Sequence, residues 1–181
     1  DKDGIDGLSS LAVNYSHTPV EILEVEQPLR IERYQFRADT GSAGKFRGAV
    51  GLEREYRLVE SNEAILQVRG DRQKFGPFGL HCVKAGAQAG NLLNHDSESP
   101  AVPPGKFMMT VKKGESFRAQ LAGAGGWGNR FERDPAFVLD DVLNEKVSLE
   151  CALEEYGVAI DSIQMAVNEE ETIRLRKAAC A

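Results

Sequence analysis

All but one of the 18 glycines and all but one of the seven prolines fall before residue 130. Glycine weakens a helix interior and proline breaks it, so that stretch can hold only short elements joined by turns and close-packed loops. Beyond residue 130 the punctuation stops and helix-start signals take over. The pattern predicts an α+β protein: a mostly antiparallel, strand-rich body with long Gly/Pro loops, followed by two or three short C-terminal helices. It also suggests a division into an irregular arm over residues 1–18, a strand-rich domain over 19–130 and a helical region over 131–181.

Within the first part, residues 1–18 carry early turn formers and no sustained period. Residues 19–28, bounded by Pro19 and Pro28, read as one or two helical turns or a short strand. Residues 29–37 and 64–69 read as strands, and 91–94 as a minimal one. Residues 52–60 alternate: Leu52, Arg54, Tyr56 and Leu58 on one face, Glu53, Glu55, Arg57 and Val59 on the other, which reads as a strand with one wet face. Residues 106–112 and 116–122 read as a hairpin around Lys113-Gly114. The Gly/Pro loop over 73–90 must cross a surface or an interface. Like the arm, it has too little apolar content to order itself, so large contacts with other chains are expected. In the second part, Asp134-Pro135 is an N-cap with proline at the first helical position. Ser148 caps a second helix that Gly157 ends. Residues 158–167 read as one extended run, and Asn168 with Glu171 opens a third helix.

The 181 residues suit one compact domain with a small appendage. Lys and Arg number 22 against 28 Asp and Glu, a net charge of −6. Without a basic stripe, nucleic-acid binding is disfavoured. No apolar run approaches the roughly 18 residues that span a bilayer, so no membrane partner is expected. The opening Asp1-Lys2-Asp3-Gly4 suggests an internal point of a longer polypeptide or a trimmed product. Cys82, Cys151 and Cys180 are odd in number and far apart, which reads as reduced, mostly buried thiols in a cytoplasmic protein.

Gly123-Ala124-Gly125-Gly126-Trp127-Gly128 spells G-x-G-x-x-G, but no helix opens inside it, so it lacks the context for a dinucleotide pyrophosphate. It reads instead as a loop where backbones approach closely, with Trp127 capping a core. Gly44-Lys45 fails as a phosphate loop because Asp39 stands at the first glycine and Phe46 at the Ser/Thr position; Lys45 and Arg47 read as exposed loop charges. His17, His81 and His95 form no metal-ligand spacing. His17, in a polar cluster before Pro19, could orient a carbonyl or a water, or serve as a hydrogen-bonded structural residue. Arg69, Asp71 and Arg72 sit where a strand gives way to a loop. They could anchor a planar amide or carboxylate, or form an ion-pair network that pins the loop.

Four strings, NYSHTPVEILEVEQPLRIERYQFRADTGSAGKFRGAVGLEREYRL, DRQKFGPFGLHCVKAGAQAGNLLN, LAGAGGWGNRFERDPAFVLDDV and VSLECALEEYGV, together resemble the carboxy-terminal third of hydantoinase B/oxoprolinase-type subunits over nearly the whole chain. The resemblance implies a piece of a larger B-type subunit in an ATP-dependent hydrolase of cyclic amides (hydantoins, 5-oxoproline, lactams). Its partners would be the remainder of that subunit, a hydantoinase A-type subunit that binds ATP with Mg2+, and the cyclic amide. A divalent metal would belong to the front portion of the B-type subunit, and this chain would bind no cofactor. A related branch carboxylates ketones with ATP, and a purely structural role within either complex is a further possibility. The family's NTPxE string stands here as His17-Thr18-Pro19-Val20-Glu21, with His for Asn, and Ala124 replaces one glycine of the glycine string. The resemblance carries over Asn14, Thr18, Glu21, Asp71 and Arg72 as matching positions; with His17, singled out by its polar surroundings, Asp71 and Arg72 are catalytic candidates, and Asn14, Thr18 and Glu21 substrate-binding candidates.

Overall fold

A computed structural model describes residues 2–8, 16–81 and 83–179. After Pro19 comes helix α1 (Val20–Glu26), which runs into strand β1 (Leu29–Arg37). β2 (Gly51–Leu58), β3 (Glu63–Arg69), β4 (Gly90–Leu93), β5 (Lys106–Lys112) and β6 (Ser116–Gln120) follow. Beyond a 3-10 turn at Arg130–Glu132 lie α2 (Pro135–Leu143), α3 (Leu149–Glu154), the short strands β7 (Ile160–Asp161) and β8 (Ala166–Val167), and α4 (Glu169–Ala179). The α+β reading holds, with antiparallel sheets before three short C-terminal α-helices.

The main sheet has strand order β1-β2-β6-β4, and β3 pairs with β5 in a separate ribbon. The expected β5–β6 hairpin is therefore absent. Lys113 and Gly114 carry the chain from one sheet to the other, and β6 inserts between β2 and β4. The ribbon turns Ala64, Leu66, Val68, Phe107, Met109 and Val111 to one half-buried apolar face. That face lies over the main sheet, where Phe107 meets Phe117 edge-on at 6.1 Å between centroids. The expected single run over 158–167 is instead β7 and β8 joined by a turn, with Asp161 Oδ1 accepting from the backbone of Ile163 and Gln164.

The wet-face reading of β2 is corrected. Glu53, Arg54 and Glu55 are all buried, because both flanking strands supply partners across the register. The helix caps fall as the sequence predicts. Asp134 accepts from Ala136 N at 2.9 Å and Ser148 from Cys151 N at 3.0 Å, while Gly157 takes φ +60 behind α3. The apolar core of this end gathers Val138, Val142, Val147, Ala152, Tyr156 and Val158, with Ala43 from the earlier part packed against it.

Between sheet and helices lie three irregular segments, near residues 40–50, 76–89 and 121–128, that hydrogen-bond edge to edge. Ala87 N donates to Thr40 O (2.9 Å), Gly123 N to Ala87 O (3.1 Å), and Ala124 N to Ala49 O (2.8 Å). A Cβ on Gly123 would stand 1.8 Å from Thr40 O. The glycine string is thus a place of close backbone approach, as expected. Trp127, in contrast, is half exposed and stacks on Phe46 at 5.6 Å rather than capping a core.

Candidate functional site

On the apolar side of β2, one position in four carries a charge. Arg54 is buried there between two tyrosines, its guanidinium carbon 4.7 Å from the Tyr34 ring centroid and 5.2 Å from that of Tyr56. Such stacking stabilises a cation that has left water. Its Nη1 lies 3.3 Å from Nδ1 of His17, which also meets Tyr34 edge-on at 6.3 Å. Arginine has only donors, so Nδ1 is the acceptor in this contact. The remaining donors of Arg54, Nε and Nη2, are buried without a hydrogen-bond acceptor. Burial raises the Tyr56 phenol above its usual range against the opposing pull of Arg54, so it keeps its proton at neutral pH.

This cluster lies at the seam between two hollows. His17, Thr18 and Tyr34 line one of about 680 Å³, with Leu52, Ala122 and Ala124. Tyr56 lines a second of about 530 Å³ between the main sheet and the β3–β5 ribbon, together with Leu58, Leu66, Val68 and Phe117. A permanent cation with unmet donors, beside an imidazole, suits stabilisation of negative charge on a carbonyl or carboxylate oxygen.

The other sequence candidates lie elsewhere. Glu21 is exposed on α1, and Asn14 lies outside the described residues. Asp71 and Arg72 border shallow surface hollows beside Lys106, away from His17. Asp71 pairs with Lys106 at 3.2 Å, with both side chains exposed, so the expected Arg–Asp–Arg network does not form. Arg72 takes a left-handed φ of 64. The structure thus brings His17 and Thr18 together and separates them from Asp71 and Arg72. Tyr34, Arg54 and Tyr56 were not singled out as a site in the sequence. The signal was there in the single charge among Leu52, Tyr56 and Leu58.

Two further polar clusters frame the site. On the opposite face of the main sheet, Glu55 Oε2 accepts from Arg118 Nε at 2.9 Å, and Glu53 accepts from Gln120 at 2.6 Å and Gln35 at 3.4 Å. The second ties the arm to the helical end. Asp141 bridges Arg47 (Nε, 3.1 Å) and Arg133 (Nη2, 2.7 Å), Asp3 grips Arg133 through both oxygens, and Asp6 grips Arg47 in the same way. Arg47 is therefore buried rather than an exposed loop charge; Lys45, paired with Glu132 at 3.1 Å, is the one that stays at the surface. Burial pushes the Asp3 and Asp6 carboxyls up, but the Arg133 and Arg47 guanidiniums outweigh it and hold both below the usual carboxylate range.

Among the described residues no group of three or more His, Cys, Asp or Glu gathers as metal ligands would. No described helix is long and apolar enough to cross a membrane.

The chain as a whole is similar to known proteins. The chain is 34% identical to the B-type polypeptide of a putative D-/L-hydantoinase from a Pseudomonas species, over 97% of its own length and 30% of that protein. Its fold superposes on the crystal structure of the ATP-dependent caprolactamase from Pseudomonas jessenii with a TM-score of 0.74 and 27% identity, covering 88% of this chain and 28% of that one. A nucleotide-free acetone carboxylase shares the fold at a TM-score of 0.79 and 17% identity, over 98% of this chain and 28% of that one. The chain therefore spans less than a third of the length of the proteins it matches. The sequence pattern described as hydantoinase B/oxoprolinase covers residues 1–130, which include the arm, the His17–Arg54 cluster and the interlocked glycine segments. On that match the chain belongs to the hydantoinase B/oxoprolinase family.

Proposed function

We propose that the chain forms part of a B-type subunit in an ATP-dependent hydrolase of cyclic amides, working with an ATP-binding subunit of the hydantoinase A type. The observation that carries this reading is the fold and 27% identity shared with the ATP-dependent caprolactamase over 88% of the chain. The chemistry is consistent with it. A lactam carbonyl is a poor electrophile, and phosphorylation of its oxygen by ATP opens the carbon to water. ATP and Mg2+ belong to the A-type partner, and any divalent metal to the front portion of the B-type subunit. This chain contributes the polar seam of His17, Arg54, Tyr34 and Tyr56 rather than a nucleotide site, and it is inactive without its partners.

The test is turnover by the assembled complex. With a hydantoin or a lactam, ADP and phosphate should appear without bicarbonate. The acetone carboxylase likeness favours a second reading, ketone carboxylation, in which turnover stops when bicarbonate is withheld. His17→Ala and Asp71→Ala separate chemistry from scaffolding. A loss of about 100-fold in kcat with assembly intact marks a positioned catalytic group. Changed assembly at constant kcat marks a structural one. Product formed by the 181-residue chain on its own would overturn the whole reading.

A further inference from the structure

The loop after β3 carries large apolar side chains on the outside. Phe75 is 78% exposed, Phe78 72% and Leu80 55%. Leu80 pairs along the backbone with Trp127, which is itself 41% exposed.

The backbone beneath them has no freedom to turn them inward. Ala89 N donates to Arg72 O (3.0 Å), Gly86 N to Pro77 O (2.8 Å), and Leu80 N to Gly126 O (3.0 Å). The Gln88 amide donates to Lys74 O at 2.9 Å. A Cβ on Gly76 would lie 2.0 Å from Gly86 O, and one on Gly125 2.0 Å from Phe78 O, so neighbouring strands of the loop are already in contact. Aromatic anchors on a backbone fixed in advance lose little conformational entropy on docking, which is how binding hot spots are built.

The charge around them is net positive: Arg69, Arg72, Lys74 and Lys106 against Asp71. Arg69, Arg72 and Lys74 are exposed next to the phenylalanines, and Asp71 is engaged by Lys106. Among the described residues neither Arg72 nor Lys74 has an ion-pair partner, on a chain whose net charge is −6.

We propose that residues 72–80 dock onto a second polypeptide whose surface offers apolar sockets for Phe75 and Phe78 inside a rim of Asp and Glu carboxylates. The proposal rests on the reading above that the chain works inside a multi-subunit complex. It adds the face of contact and the chemistry of the surface that meets it. Arg72 and Lys74 steer and orient the encounter, and the phenylalanines hold it.

The test uses the intact B-type polypeptide and its co-purified partner, with association read by native mass spectrometry and by titration at two salt concentrations. Phe75→Ser with Phe78→Ser should weaken association by about 100-fold. Arg72→Glu with Lys74→Glu, changes on the surface that leave packing untouched, should slow association several-fold at low salt and less at high salt. Wild-type association in the charge-reversed protein overturns the proposal even where the phenylalanine variant fails to fold. So does a phenylalanine variant that lowers the melting temperature of the B-type polypeptide yet binds its partner normally, since the loop is then covered within its own chain. A complex that assembles through this loop but opens no lactam refutes the catalytic reading and leaves the docking face standing. A complex that turns over lactam and is indifferent to both variants does the reverse.

Discussion

Gly123→Ala puts the interlocked glycine segments under a direct test. The added Cβ would stand 1.8 Å from Thr40 O and 2.3 Å from its carbonyl carbon, whereas real Cβ atoms essentially never come within 3.0 Å. The two segments must part by about 1.2 Å, and no flexible side chain is available to yield. That movement stretches two backbone hydrogen bonds, Ala87 N to Thr40 O at 2.9 Å and Gly123 N to Ala87 O at 3.1 Å. Each buried bond left unmade costs about 1–3 kcal/mol. With overpacking strain added, the expected loss is about 3–5 kcal/mol. Gly114→Ala is the comparison. It has φ +89 and nothing within 4 Å, so only backbone strain opposes the methyl, at roughly 1–2 kcal/mol. Urea unfolding of the intact polypeptide gives the two values from midpoint shifts at constant slope. Hydrogen exchange across residues 117–128 should accelerate in the first variant only. A Gly123→Ala protein within about 1 kcal/mol of the parent, or one less perturbed than Gly114→Ala, would refute the claim that these segments are in backbone contact.

Three further outcomes follow from the same geometry. Asp141→Ala removes the carboxylate that Arg47 and Arg133 share and leaves each buried guanidinium one acceptor short, with Arg47 still on Asp6 and Arg133 still on Asp3, so stability should fall by about 1–3 kcal/mol; an unchanged urea midpoint would contradict this. Because the folded-state pKa values of Asp3 and Asp6 lie below their unfolded ones, their contribution is fully present above roughly pH 4 and is lost as the pH falls through the folded values. Protection of the amides over residues 2–8, relative to their intrinsic exchange rates, should therefore fall in acid, and Asp3→Asn with Asp6→Asn should show low protection already at neutral pH. Burial, with Asp39 next, pushes the Cys151 thiol up to about 12, so a thiol reagent at pH 8 should modify it only after denaturant is added.

Local signals were legible wherever the physics is local. The Asp134-Pro135 start, the Ser148 cap and the left-handed Gly157 each depend on residues within one turn, and each stands where the sequence puts it. What needed cross-strand register was not legible. Glu53 and Glu55 looked solvated because their face of the strand is mostly charged, yet Arg118 sits opposite Glu55 and Gln120 opposite Glu53 across β2 and β6. The same holds for the site. His17 and Arg54 are 37 positions apart, and their contact follows from where α1 enters β1 and how β1 registers on β2, placing Tyr34 opposite Arg54. Glycine spacing announced close approach at 123–128. It could not say that the approaching backbone would be Thr40 or Phe78.

The arm and the 73–90 loop looked alike in sequence, both short of apolar residues and both in need of partners, but the structure separates them. Asp3 and Asp6 satisfy their charges within the chain, on Arg133 and Arg47, and Gly4 N finds Arg47 O at 2.8 Å. The described part of the arm therefore spends its carboxylates internally, while Ile5 and Leu8 stay exposed. The loop has also met its backbone needs internally, through the glycine segments, but it spends none of Phe75, Phe78, Arg72 or Lys74 in doing so. Backbone satisfied and side chains unspent is the combination that favours binding over self-folding, because docking then costs little order and gains apolar burial. Of the two segments as described, the loop is the one that sets exposed aromatic anchors on an internally bonded backbone.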